Sequence, residues 1–124
     1  VNLLKKYNPL EVTAISHTLL RVLCLLIIEY DCARLVEKSS GTPAVLGNYL
    51  LASVFGLGLV LMLFRVKWGY MIGMFAGAVN VAVKVVIGIT GHEHYPYWPI
   101  VWITQSLMVA YFSFMAYKSV RGED

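Results

Sequence analysis

The stretch from Trp68 to Thr90 reads WGYMIGMFAGAVNVAVKVVIGIT. A spanning helix takes about 20 mostly apolar residues. This stretch has that length and carries one charge, Lys84. It lacks the period-two alternation of a strand. Gly69, Gly73 and Gly77 form two overlapping GxxxG units, and Asn80, Lys84 and Gly88 continue the stripe. Small residues at this spacing let another helix approach closely, and they turn Asn80 and Lys84 toward that contact rather than toward lipid. The helix that fills the stripe belongs either to the same chain or to a second copy.

Three more apolar stretches lie around it: Val12 to Tyr30, Ala44 to Phe64, and Tyr97 to Tyr117. The breaks between them have local causes. Ser39-Ser40-Gly41-Thr42-Pro43 is a turn cluster in which Thr42 can cap the second helix and Pro43 can take its first position. Arg65-Val66-Lys67 is a tight charged hairpin. Gly91 ends the third helix, and Pro96 and Pro99 bracket the start of the fourth. The second stretch carries a shorter small-residue match, Ala52 with Gly56, and Gly58 nearby.

Composition agrees with this reading. Of 124 residues, 59% are hydrophobic and 14% charged, against roughly 45–50% and about 25% in soluble domains. A soluble domain of this size leaves roughly a third of its unfolded surface exposed, so the apolar excess has no core large enough to hide it. Disorder, a disulfide scaffold and a nucleic-acid module are excluded. Four spans leave no room for a soluble catalytic domain, and no Ser–His–Asp set, phosphate loop or carboxylate pair is present. The expectation is an all-α integral membrane protein and not an enzyme. Residues 1–124 form a single transmembrane domain, a four-transmembrane-helix antiparallel bundle over about 12–30, 44–64, 68–90 and 97–117. An interfacial segment, 1–11, precedes it (Leu3, Leu4, Tyr7 and Leu10 are its apolar members).

Lys and Arg set the orientation. Lys5, Lys6, Arg65, Lys67, Lys118 and Arg121 fall on one side, and only Arg34 and Lys38 on the other. Both termini are therefore expected in the cytoplasm, in a multi-pass protein of the cell membrane. Aromatic residues mark both boundaries: Tyr30, Tyr49, Tyr95, Tyr97 and Trp98 outside, and Tyr7, Trp68, Tyr70 and Tyr117 inside. Lys5 and Lys6 resemble the start of a signal peptide, but His17 and Arg21 interrupt the apolar run and no small-x-small site follows. The first helix reads as retained.

Ionisable residues inside a membrane are costly and point to function. His17 and Arg21 share a face of the first helix at i, i+4. Glu29 lies about 12 Å outward of Arg21, and Lys84 about 7 Å outside the midpoint of its helix. Glu29 and Lys84 are therefore expected close together, with Asn48 and Gln105 also in the outer half. Arg21 has no acid at its own depth, so its expected partners are carbonyls, Asn80, hydroxyls, water, another subunit or an anionic ligand. Arg21, Glu29, Asn80, Lys84, Gln105 and His17 thus line an expected outward-opening polar pocket for a small polar or anionic solute.

Two competing readings follow from other features. One is a non-catalytic subunit of a larger membrane complex or a homo-oligomer, held through Gly69, Gly73 and Gly77. The other is a quinone- or haem-associated anchor using Arg21 and His17. No cofactor is expected from this chain, because His17 lies inward while His92 and His94 lie at the outer edge. Gly91-His92-Glu93-His94 is a weak metal motif, since zinc or copper needs a further ligand. Cys24 and Cys32 stand about 12 Å apart along one helix, too far for a mutual disulfide.

Overall fold

The computed structural model describes residues 7–41, 43–90 and 98–121. Four helices account for nearly all of them: α1 (Pro9–Ser40), α2 (Ala44–Leu63), α3 (Lys67–Thr90) and α4 (Trp98–Arg121). Each is long and apolar enough to cross a membrane, over Pro9–Leu35, Ala44–Leu63, Lys67–Val86 and Ile100–Val120. Large apolar side chains face outward on every helix, among them Ile27, Leu50, Phe75 and Leu107. A soluble monomer does not expose so much contiguous apolar surface.

α1 is longer than the sequence suggests, at both ends. The Asn8 side chain accepts from the Glu11 N–H while the Glu11 carboxylate accepts from the Asn8 N–H, and Pro9 occupies the first turn. This capping box starts a helix inside the segment expected to be interfacial. No Gly or Pro then intervenes before Gly41, which closes α1 in the left-handed region at φ 74°. The 32 residues span about 48 Å, well beyond the roughly 30 Å hydrocarbon layer.

The second boundary shifts by one residue. Pro43 is the residue before α2 rather than its first member, and Thr42 lies outside the described residues. The α2–α3 hairpin forms where Arg65-Val66-Lys67 predicts it. Arg65 sits at φ 57°; its N–H donates to the Met62 carbonyl, and the Val66 N–H donates to the Leu61 carbonyl. This is the paired bonding that ends a helix on a left-handed residue, with Arg in the place usually held by Gly.

α1 packs on α2 and α4, and α3 packs on the same two helices, so the four make a closed ring of contacts. Each helix buries one stripe. On α1 the stripe is Glu11, Ala14, Thr18, Arg21, Leu25 and Glu29; on α4 it is Trp102, Ser106, Val109, Ser113, Ala116 and Val120. Spacings of three and four residues keep each set on one face.

The glycine stripe of α3 is filled within the chain. A Cβ at Gly69 would stand 2.6 Å from the Met62 backbone nitrogen on α2, and one at Gly77 would stand 2.6 Å from the Ser106 carbonyl oxygen on α4. On α2 the glycine that matters is Gly58, whose Cβ would meet Ile72 at 3.2 Å; Gly56 faces open space. Tyr70, in the first turn of α3, is fully buried.

Candidate functional site

Arg21 is completely buried at the centre of the helices. Its Nε and Nη2 donate to Asn80 Oδ1 at 3.0 and 2.6 Å, and its Nη1 donates to Gln105 Oε1 at 3.2 Å. Nη1 also donates to Glu29 Oε1 in a buried ion pair. An acid two turns away does reach Arg21, which the depth argument had excluded. Side chains tilt toward the helix N-terminus, so Glu29 leans back along α1 while the long guanidinium arm covers the remaining distance. The Trp102 ring lies 5.2 Å from the Arg21 guanidinium carbon and the Phe55 ring 5.9 Å. A planar, weakly hydrated cation suits such faces better than an ammonium.

Lys84 joins from α3. Its Nζ lies 3.1 Å from Glu29 Oε2, an ion-pair contact outside hydrogen-bonding geometry. Glu29 and Lys84 thus come together as their depths predict. One carboxylate is shared by two cations, with side-chain exposures of 0% for Arg21, 2% for Glu29 and 11% for Lys84. Removing one member of such a buried set generally costs about 3–5 kcal/mol, because the group left behind keeps its desolvation penalty without its partner.

The hydrogen-bond account of Asn80 is uneven. Its Oδ1 accepts from Arg21 twice and from Ser106 Oγ at 2.7 Å. An arginine only donates, so the amide oxygen must face it. That leaves Asn80 Nδ2 as a buried donor with no hydrogen-bond partner. Arg21 has five N–H groups, of which four take part in the bonds above. The remaining one is on Nη2, beside the Asn80 amide. Among the described residues the cluster therefore leaves one buried donor, Asn80 Nδ2, and one buried acceptor, Glu29 Oε2, without a hydrogen bond.

The other expected residues divide. Gln105 belongs to the cluster, and its Nε2 donates to Cys24 Sγ at 3.3 Å. Asn48 donates instead to the Leu25 carbonyl at 2.7 Å and ties α2 to α1. His17 lies away from the cluster and stacks on Phe112, with ring centroids 5.1 Å apart and planes 5° off parallel. His92 and His94 lie outside the described residues. Among the described residues no group of three His, Cys, Asp or Glu is placed to hold a metal, and neither Cys24 nor Cys32 is in a disulfide.

The sequence reading missed Ser106, Trp102 and Phe55. The signal for the first two was present in the small and polar stripe of α4, which continues through Val109 and Ser113. A second polar cluster was missed entirely. Glu11, also fully buried, binds Arg65 in bidentate fashion at 3.0 and 3.1 Å and accepts from Tyr70 Oη at 2.7 Å. Asn8 Nδ2 donates to Ser119 Oγ at 3.0 Å, and Tyr7 Oη donates to the Leu63 carbonyl. These contacts fasten the start of α1 to the α2–α3 turn and to the end of α4. Compared with known protein families, curated proteins and solved structures, the chain matches none of them.

Proposed function

We propose that this chain is a non-catalytic, multi-pass protein of the cell membrane. Its four helices form an antiparallel bundle with both termini in the cytoplasm, and it binds and passes a small anionic solute in the outer half of the membrane. The topology rests on six Lys and Arg at one end of the spans against two at the other. The function rests on one observation. Among the described residues the polar centre sets Arg21 and Lys84 around the Glu29 carboxylate and leaves a buried Asn80 Nδ2 with no acceptor. An apolar bundle has no packing need for such a group. An anion at Arg21 and Asn80 would supply the acceptor.

Arg21 and Asn80 bind the solute, Gln105 and Ser106 hold them in place, and Lys84 flanks the site toward the outer end of α3. Because the cluster is packed shut, entry requires rearrangement of its own carboxylate. The subunit reading loses its docking face, since Gly69 and Gly77 are already covered by α2 and α4. Reconstitution into liposomes tests the proposal. Nitrate flux is expected with the purified chain, and Arg21→Ala is expected to abolish it while the protein still purifies as a folded species. Absence of flux, together with stoichiometric co-purifying chains, would instead make it a subunit of a larger complex.

A further inference from the structure

Resting on the anion-passage reading above, we propose that the solute leaves the Arg21 site toward the α2–α3 turn, and that the Met62 side chain is the gate on that route. The buried polar groups of the bundle fall into two sets with a gap between them. On α1 the gap lies between Glu11 and Arg21, ten residues or about 15 Å apart. On α3 one buried face carries Tyr70, Gly73, Gly77, Asn80 and Lys84 in turn, at spacings of three and four. Tyr70 bonds to Glu11 and Asn80 to Arg21, so the two glycines lie in the gap. Having no side chain of their own, they leave its width to whatever faces them.

Met62, near the end of α2, takes that space. It is fully buried and clusters with Ala14, Tyr70, Ala116 and Val120. A Cβ at Gly73 would stand 2.6 Å from Met62 Cε and 2.6 Å from Ser113 Oγ, so the thioether tip and the hydroxyl lie over the same glycine. Met62 Sδ is 3.6 Å from Thr18 Oγ1 on α1. The groups around the tip are therefore small, and two of them carry hydroxyls. Ser113 Oγ is buried with no hydrogen-bond partner among the described residues. Methionine is unbranched and flexible, so a rotamer change withdraws the tip from Gly73 without moving a helix. In place, the apolar tip excludes water and the anion with it. Withdrawn, it opens a gap in which the Ser113 hydroxyl donates to the passing anion. Beyond Met62 lies Arg65, paired with Glu11 and one-third exposed, so a cation stands where the route meets the surface.

The test reads two quantities on the purified chain: nitrate affinity by calorimetry, and nitrate flux in liposomes. A gate sets the barrier to passage and leaves the equilibrium affinity of the site alone. Met62→Ala should therefore raise flux about tenfold, as a lowered barrier does, with nitrate affinity unchanged. Met62→Leu keeps the bulk but is branched and stiffer, so its flux should fall below that of the unmodified chain; it also serves where Met62→Ala does not fold. Flux in either variant equal to that of the unmodified chain overturns the gate. A rise in Met62→Ala that persists when Arg21 is also replaced by Ala is a leak and overturns it too. Nitrate binding with no flux from the unmodified chain or from Met62→Ala overturns the gate and passage together and leaves the anion site standing. No nitrate binding by the unmodified chain overturns the anion reading itself.

Discussion

Two buried ion clusters lie along the same helices, one at the start of α1 and one around Arg21 near the centre, and they are built differently. At the start of α1 Glu11 binds Arg65, and its oxygens are also met by Tyr70 and the Asn8 N–H. Arg65 keeps its side chain one-third exposed, so water shares in its solvation. The partners come from helix ends and a turn. In the Arg21 cluster Glu29 is shared by Arg21 and Lys84, all on helix interiors, and among the described residues Asn80 Nδ2 and Glu29 Oε2 lack a hydrogen-bond partner. A satisfied cluster fastens a fold. The proposed anion binding draws on the other cluster, which is only partly satisfied.

The sharpest way to break this contrast is Glu29→Ala. It leaves Arg21 and Lys84 buried without their shared carboxylate, and a loss of about 3–5 kcal/mol is expected in unfolding from detergent micelles. Added nitrate should recover part of it, as any ligand of the folded state does. Glu11→Ala comes next, at about 2–4 kcal/mol, because it strands the buried Tyr70 hydroxyl and removes a capping box as well as an ion pair. Nitrate should not rescue Glu11→Ala, and its nitrate affinity should match that of the unmodified protein. Rescue of both variants would erase the distinction.

Two glycine substitutions sharpen the same contrast at smaller cost. Gly69→Ala pushes on the Met62 backbone near the α2–α3 turn, and Gly77→Ala pushes on the Ser106 carbonyl beside the Arg21 cluster. Each should cost about 1–3 kcal/mol from overpacking. Only Gly77→Ala should also weaken nitrate binding, because Ser106 donates to Asn80. The smallest effect is expected at Gly56, where a methyl meets nothing within 4 Å. Gly56→Ala should stabilise the helix by roughly 0.5–1 kcal/mol, read as a small rise in Tm with nitrate binding unchanged.

Much of this was legible before any coordinates. Long apolar runs separated by Gly, Pro and charged turns read as candidate spans, whereas the helix start at Asn8-Pro9 with Glu11 was passed over. The similar depth of Glu29 and Lys84 followed from helical rise along two helices expected to run in the same direction. The Arg21–Glu29 contact was not legible, because rise measures distance between backbones, whereas two long side chains leaning along one helix close a gap of two turns. Arg65 with Glu11 was equally hidden. The turn was read for its charge and its place at the membrane surface, and nothing in either segment says which helix start the turn will lie beside.

The sequence alone determined that this chain has four helices fit for a bilayer, and that Arg21, Glu29, Asn80 and Lys84 turn inward. Those follow from local quantities: hydropathy, period and the cost of charge in hydrocarbon. Tertiary structure decided that the glycine stripe is filled by this chain's own α2 and α4, that His17 stands apart with Phe112, and that one carboxylate answers two cations. Those are matters of which faces meet and how far side chains reach. They are fixed only when all four helices are in contact at once.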